Sequence, residues 1–214
     1  GTGAFVMIDT GKRVVAHPRL LSGIIDSAIN VCSYALEGTV NGAGSALQWA
    51  EQTWGLEISQ PPRGQNPPLF INTVGGLGSP WWQAGPPPRL HGSGPQGCRS
   101  KPAQCTAAIL ESIAFLIFAN LQQIIRHGFT IRQLSISGGL SRYDMLCQGL
   151  ADLSALPVIR SRQSEATARG IAWQAGNQAK AFPTASGQRF EPQLNPALKR
   201  RYRRFITIID ESCA

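Results

Sequence analysis

One long stretch of the sequence most constrains the fold: over residues 103–127, apolar side chains recur at three- and four-residue spacing. This spacing places them on one face of a helix, and Gly128 directly after it is a common helix stop. The residues of this face are Ile109, Ile113, Leu116, Ile117, Leu121 and Ile124. We therefore predict a long helix over residues 103–127.

Shorter predicted elements follow this helix in alternation. Strands over residues 133–137 and 157–159 alternate with a helix beginning near Ser141, a helix over 165–175 and a final helix over 195–205. Alternating helices and strands are typical of layered domains in which helices pack on a sheet. The predicted fold class is therefore α/β.

The first hundred residues contain further predicted elements. Residues 4–8 are an apolar run typical of a buried strand, followed by a turn over 9–12 and a return strand over 13–16 that would complete a hairpin. Residues 32–38 predict another strand, and residues 43–50 have helical spacing. A strand over 69–72 follows a linker over 57–68, which is rich in proline, glutamine and glycine. The Pro- and Gly-rich residues 85–102 predict a long loop.

The composition excludes several classes of protein. Hydrophobic residues make up 43% of the chain, so it is not a disordered tail, although charged residues make up only 15%, against roughly 25% in an average soluble domain. The longest purely apolar run, residues 113–119, has seven residues, and a bilayer needs about 20. We therefore predict no membrane-spanning helix and no membrane partner.

The cysteines and histidines do not form a metal-site pattern. No CxxC pair occurs, and the three histidines are isolated from one another. We therefore expect no metal-ligating residues, and reduced thiols in a cytoplasmic protein rather than a disulfide framework. The five cysteines are Cys32, Cys98, Cys105, Cys147 and Cys213.

The formal net charge of +8 raises the question of nucleic-acid binding. Five of the 20 basic residues lie in the last sixteen positions, within the predicted final helix. Such a run is typical of the solvated face of a helix, and the sequence contains no zinc-finger spacing that would support nucleic-acid binding. We expect no nucleic-acid partner.

Two glycine-containing segments could hold phosphate. Gly1-Thr2-Gly3 precedes a predicted strand and can present backbone N–H groups and one hydroxyl to an anion. Gly138-Gly139 lies between a strand and a helix, where the positive end of the helix attracts phosphate. An ordinary turn is the alternative interpretation of each segment, and turns account for most Gly-x-Gly tripeptides. The sequence contains neither the Walker loop nor GxGxxG, so P-loop and Rossmann folds are disfavoured.

These segments belong to a series of six motifs that resembles, in the same order, the C-terminal half of the FGGY-family carbohydrate kinases. Within that family, the motif sequences are most similar to those of glycerol kinases. The motifs are GTGAF (1–5), YALEG with AGSALQW (34–38 and 43–49), GLGSPWW (76–82), LESIAF (110–115), GG (138–139) and EATARG (165–170). The resemblance implies a ribonuclease H-like (actin-like ATPase) domain, with a mixed sheet flanked by helices. It also implies that residues 1–214 are a single nucleotide-binding C-terminal domain, with the family's N-terminal sugar-binding domain absent from them.

The resemblance implies site residues for ATP, which such kinases use with Mg²⁺. Thr2 corresponds to the threonine that contacts the nucleotide phosphates, and Gly44 and Gln48 to residues that line the same site. Gly139 corresponds to the second glycine of the nucleotide-contacting turn. Tyr143 stands where glycerol kinases carry asparagine, and its ring could stack on adenine. For Gln48, a solvated helix residue is the alternative interpretation.

The resemblance also indicates what is missing. The family's catalytic aspartate lies before the GTG motif, so no residue of this chain is assigned as the catalytic base. Phe5 corresponds to a residue near the polyol and is a possible substrate contact. Trp81 and Trp82 are expected to lie in the core or to anchor a loop rather than to contact substrate. The three glutamates within the motifs are expected to cap helices or lie at the surface rather than to act in catalysis: Glu37, Glu111 and Glu165.

Two functions remain open at this point. The chain is either the ATP-binding half of an ATP-dependent sugar or polyol kinase, inactive alone, or a truncated non-catalytic module that binds nucleotide or self-associates as a homo-oligomer. In the first case, the sugar or polyol would bind through the missing N-terminal domain.

Overall fold

The computed structural model of the chain describes residues 2–28, 31–58, 61, 66–91, 101–162, 165–176 and 187–213. Gly1, half of the predicted linker and residues 92–100 of the predicted loop therefore lie outside the described residues. In chain order the elements are β1 (Ala4–Gly11), β2 (Leu21–Ala28), β3 (Val31–Val40), α1 (Gly44–Trp54), β4 (Phe70–Ile71), β5 (Arg89–Leu90), α2 (Pro102–Arg126), β6 (Leu134–Ile136), a 3-10 helix (Gly139–Arg142), α3 (Asp144–Ser154), β7 (Val158–Ser161), α4 (Ala166–Ala175), β8 (Gly187–Phe190) and α5 (Pro196–Cys213).

The first sheet is antiparallel and has the strand order β1-β3-β2. The predicted hairpin is wrong, because β1 pairs with β3 and residues 13–16 form no strand. The ring nitrogen Nδ1 of His17 accepts hydrogen bonds from the backbone N–H groups of Arg19 and Leu20, each at 3.1 Å. These bonds hold the chain in a turn, so the second strand begins only at Leu21, a strand that the sequence did not predict.

The second sheet has the order β6-β7-β8, with β6 and β7 parallel and β7 and β8 antiparallel. The strands predicted over 133–137 and 157–159 are confirmed as β6 and β7, but β8 was missed. A two-stranded antiparallel pair, β4 with β5, completes the described strands. The predicted α/β class, with mixed sheets flanked by helices, is confirmed.

Helix α2 forms the centre of the hydrophobic core and confirms the predicted long helix. It begins with Pro102 at its first turn, where the missing N–H costs nothing, and ends before Gly128, whose φ of 98° suits glycine. By length and composition the helix could cross a membrane, but 72% of its most apolar window is buried inside the fold. The core therefore accounts for its apolar character.

Two side chains of the core depart from the sequence-based expectations. Glu111 is buried in α2 and forms a bidentate salt bridge with Arg201 of α5, so its predicted capping or surface role is wrong. Arg200, Arg203 and Arg204 are exposed on α5, as expected for a solvated basic face. Arg201 differs from these exposed arginines because it is half-buried and its side chain reaches Glu111 of α2.

The thiols are not all reduced. Cys105 in α2 is disulfide-bonded, so the expectation of reduced cysteines is wrong at this position. Cys32, Cys147 and Cys213 are free.

Candidate functional site

A groove of about 900 Å³ opens between β1 and β6. Residues 3–9 form one wall, and residues 130–141 form the other. Apolar side chains of two helices also line it: Ile117, Leu121 and Ile124 from α2, and Leu146 and Leu150 from α3. The groove therefore brings the end of the GTG motif and the GG turn, which are more than 130 residues apart in sequence, to one place.

The backbone of the GG turn is accessible from this groove. Gly138 has φ 89°, a left-handed conformation that favours glycine. Its carbonyl accepts hydrogen bonds from the backbone N–H and the hydroxyl of Ser141, at 3.0 and 2.7 Å. Gly139 is exposed, and a Cβ built on it would meet no atom within 4 Å. A ligand can therefore approach the backbone of Gly139 closely.

Arg160 of β7 holds the segment that follows the GG turn. Its Nη1 atom donates to the carbonyls of Ser141 and Arg142, at 3.0 and 3.2 Å, and to Oδ1 of Asp144 at 2.8 Å. Its guanidinium also lies over the ring of Phe190, 5.2 Å from the centroid. This one cation therefore connects β7 and β8 to the beginning of α3. Arg160 was not predicted as a site residue, although a charge directly after the apolar strand residues 157–159 was a usable signal.

Tyr143 lies beside this segment but does not face the groove. Its side chain is 2% exposed and packs in the hydrophobic core, and its hydroxyl accepts a hydrogen bond from Nη2 of Arg142 at 3.0 Å. In this conformation the ring has no open face on which a base could stack.

Thr2, Gly44 and Gln48 come together at the N-terminal end of α1. The carbonyl of Thr2 accepts hydrogen bonds from the backbone N–H and the hydroxyl of Ser45, at 3.0 and 3.2 Å. Gly44 is the first residue of α1, and Gln48 is exposed one turn later. The helix has no acidic residue in its first turn and no side-chain cap, so its positive end is not neutralised by its own side chains.

Phe5 projects from β1 beside the groove. Its side chain is 61% exposed, and it lies two residues after Gly3 in the same wall. Trp81 and Trp82 anchor a loop as expected, because their indole N–H groups donate to Asp210 Oδ1 and to the carbonyl of Arg19, at 2.8 and 2.9 Å.

The described part of the chain contains no group of three or more histidine, cysteine, aspartate or glutamate side chains that could hold a metal ion. Asp9 lies in the β1 wall of the groove, but its Oδ1 accepts the backbone N–H of Gly11 at 2.7 Å. Thr2, Gly44 and Gln48 are not among the residues that line this groove. Together they offer backbone N–H groups, one threonine hydroxyl and one glutamine amide at the N-terminal end of α1. These are donors suited to phosphate oxygens.

Curated proteins similar to this chain are glycerol kinases. The glycerol kinase of Ralstonia pickettii is 35% identical over 189 residues, which cover 82% of this chain and 37% of that protein. The glycerol kinase of Cereibacter sphaeroides is 32% identical over 222 residues, covering 93% and 44% respectively. The chain therefore spans less than half the length of these curated relatives.

Solved kinase structures share the fold. The glycerol kinase of Plasmodium falciparum, crystallised with ADP, matches with a TM-score of 0.77 and 21% identity, over 99% of this chain and 46% of that one. A ligand-bound xylulose kinase from Lactobacillus acidophilus matches with a TM-score of 0.72 and 20% identity, over 99% and 45%. These matches confirm the predicted actin-like fold.

The family model described as the C-terminal domain of the FGGY family of carbohydrate kinases matches residues 1–179. This range includes the GTG motif, α1, the groove and the GG turn. Together with the glycerol kinase relatives, the match shows that the chain belongs to the FGGY family of carbohydrate kinases and corresponds to the family's C-terminal domain.

Proposed function

We propose that this chain is the ATP-binding half of an ATP-dependent sugar or polyol kinase, organised as a single domain over residues 1–214. The observation that carries the proposal is that Gly3 and Gly139, from two motifs far apart in sequence, line the same groove. The ADP in the related Plasmodium falciparum structure supports a nucleotide as the ligand.

The proposed roles follow from the donors that each residue offers. The hydroxyl of Thr2, the backbone of Gly44 and the amide of Gln48 bind phosphate oxygens at the uncapped end of α1. The exposed backbone of Gly139 approaches the base or ribose. None of these groups is a base at neutral pH, so they bind phosphate without competing for the acceptor's proton.

Magnesium fits the nucleotide better than it fits the protein. Mg²⁺ in kinases is held by phosphate oxygens and waters together with one or two carboxylates. The described residues offer no metal-ligand cluster, so we assign it no protein ligand in this chain. When bound with the nucleotide, Mg²⁺ would neutralise charge on the phosphates.

We infer that the chain alone does not catalyse phosphoryl transfer. Phosphoryl transfer to an alcohol needs a positioned acceptor for the hydroxyl proton, and the only carboxylate of β1, that of Asp9, already accepts the Gly11 N–H. The sugar or polyol would bind mainly through an N-terminal domain, with exposed Phe5 as a contact from this half. A cytoplasmic location, and the absence of nucleic-acid and membrane partners, remain predictions.

The test is calorimetric titration of Mg-ADP into the chain and into Gln48→Ala. Gln52→Ala is a matched control, because Gln52 is an exposed glutamine one turn further along α1. We expect Gln48→Ala to weaken binding by about tenfold, which corresponds to one hydrogen bond to a charged group, and Gln52→Ala to leave it unchanged. Equal affinities of the two variants would contradict the proposed site.

A non-catalytic, self-associating module is the second candidate, and exposed apolar side chains favour it. Phe5, Met7 and Leu21 are each at least 50% exposed on the first sheet, and Met7 and Leu21 lie opposite the same residue of β3, on one face. Apolar clusters of this kind often mark interfaces. Sedimentation equilibrium, together with the Mg-ADP titration, distinguishes the candidates. A homo-oligomer that does not bind Mg-ADP favours the module, and a nucleotide-binding monomer favours the kinase half.

A further inference from the structure

Arg142 is the charged residue of the short 3-10 helix that begins at the GG turn. This helix consists of Gly139, Leu140, Ser141 and Arg142. A 3-10 helix has about three residues per turn, so side chains three positions apart lie on the same face. Gly139 and Arg142 are three positions apart. Arg142 therefore lies on the face that is open at Gly139, where a built Cβ meets no atom within 4 Å.

Tyr143 holds the guanidinium of Arg142 in a defined position. The Cζ atom of Arg142 lies over the Tyr143 ring, 5.0 Å from its centroid, and Nη2 of Arg142 donates to the Tyr143 hydroxyl at 3.0 Å. The ring is itself fixed, because it is 2% exposed and packs in the core. An arginine side chain loses conformational freedom when it binds a ligand, and these two contacts have already restricted that of Arg142.

The other side of this guanidinium is accessible to a ligand. Arg142 is exposed, whereas the ring beneath it is buried, so the side turned away from Tyr143 faces solvent. In the part of the chain that the structure describes, no carboxylate forms an ion pair with Arg142. The ion pairs there are those of Arg160, Arg189 and Arg201.

A guanidinium held in this way suits a nucleobase better than a phosphate. Guanidinium groups are planar and delocalised, and nucleobases stack on them as they do on aromatic rings. Phosphate oxygens prefer the edge of the group, where two N–H groups donate in parallel, but Nη2 already donates to Tyr143. Arg142 also belongs to the segment that the proposed function assigns to the base or ribose, whereas the proposed phosphate contacts lie at α1.

We propose that the base of the bound nucleotide stacks on the guanidinium of Arg142. Tyr143, whose ring the sequence offered as the stacking surface, lies one layer below and is a positioning residue for Arg142. The inference rests on the proposed function and adds to it the side chain that contacts the base.

The experiment compares a ligand that has a base with one that has none. Mg-ADP and Mg-pyrophosphate are titrated calorimetrically into the 214-residue chain and into Arg142→Ala. We expect Arg142→Ala to bind Mg-ADP at least about fivefold more weakly, as the loss of one stacking contact requires, and to bind Mg-pyrophosphate as the wild type does. Equal affinities of the two proteins for Mg-ADP would overturn the proposal. So would an equal loss for both ligands, because Arg142 would then act on the phosphates.

Two exposed-surface variants separate stacking from charge. Arg142→Lys keeps the charge but removes the planar group, so we expect it to bind Mg-ADP about as weakly as Arg142→Ala does. Wild-type affinity of Arg142→Lys would show that charge alone is sufficient and would refute stacking. Arg203→Ala is the matched control, because Arg203 is an exposed arginine of α5 that does not line the groove. It removes the same charge and should leave both affinities unchanged.

Tyr143→Phe tests the positioning role. It keeps the ring and removes the hydroxyl that accepts the bond from Nη2 of Arg142. We expect Mg-ADP to bind about two- to fourfold more weakly and Mg-pyrophosphate to bind as it does to the wild type, a difference that a general loss of structure would not produce. Unchanged Mg-ADP affinity would show that the hydroxyl does not position Arg142.

The proposed function and this inference can fail separately. If the wild-type chain binds Mg-ADP and Arg142→Ala binds it equally well, the nucleotide site stands and the assignment of Arg142 is wrong. If the wild-type chain binds neither ligand, the nucleotide site is wrong, and stacking on Arg142 is wrong with it.

Discussion

The buried ion pair between α2 and α5 allows a quantitative test of how this domain is held together. Nε of Arg201 donates to Oε2 of Glu111 at 2.7 Å, and Nη2 donates to Oε1 at 2.6 Å. The Glu111 side chain is 3% exposed and that of Arg201 is 18% exposed. Burial raises the pKa of Glu111, and the bonds and charge of Arg201 oppose this rise. The arginine therefore offsets part of the cost of a buried carboxylate.

The perturbation is Arg201→Ala, which leaves Glu111 buried without its partner. Breaking one side of a buried ion pair costs about 3–5 kcal/mol, and partial exposure of Arg201 favours the lower end, about 3–4 kcal/mol. For a chain of this size, 1 kcal/mol corresponds to roughly 2–4 °C in Tm. We therefore expect Tm to fall by roughly 6–16 °C. The double change Glu111→Leu with Arg201→Met should restore most of the loss, because it removes both charges.

Urea and thermal unfolding measure the effect, with Arg203→Ala as the control. Arg203 is an exposed arginine on the same helix, so its loss should change stability by no more than about 0.5 kcal/mol. If Arg201→Ala were as stable as Arg203→Ala, the reasoning from burial would be refuted.

The pH dependence of Arg201→Ala provides a second check with a defined sign. Glu111 has a pKa raised above its ordinary value of 4.5 in the folded state, so the folded state binds its proton more readily than the unfolded state does. Its contribution to stability is therefore retained below pH 4.5 and lost as the pH rises through the raised pKa. Without Arg201 the pKa rises further, so the stability deficit should be larger at pH 8 than at pH 5.

Three further outcomes are expected. Arg160→Ala should speed amide exchange in the segment between β6 and α3 and lower the free energy of unfolding by about 2 kcal/mol. Unchanged exchange would show that this segment keeps its conformation without the bonds from Arg160. Gly38→Ala places a methyl 2.8 Å from Cβ of buried Asn120, so urea unfolding should show a loss of about 1–3 kcal/mol. Gly23→Ala, where no atom lies within 4 Å, should be nearly neutral by the same measurement. Burial raises the pKa of Cys147 to about 11, so an aromatic disulfide reagent at pH 8 should label it at least about 100-fold more slowly than a peptide thiol; comparable rates would contradict its burial.

The sequence predicted those elements whose hydrophobic pattern is a property of the segment itself. It did not predict the strands that form only because a neighbouring strand pairs with them. Helix α2 was predicted almost to the residue, because its three- and four-residue spacing is a property of the segment itself. Strand β2 contains Gly23 and Asp26, has no clean alternation, and exists because β3 pairs with it. Strand β8 (GQRF) is equally polar and is held by β7. Neither segment carries a strand signal of its own.

The same distinction applies to single residues of the site. The motif glycines could be read from the sequence because backbone freedom is intrinsic to the residue type. The bond between Glu111 and Arg201 joins positions 90 residues apart, and no local pattern indicates it. The burial of Tyr143 follows from the way α3 packs on α2, which sets its ring into the core. Motif position therefore located the turn but not the direction of its side chains.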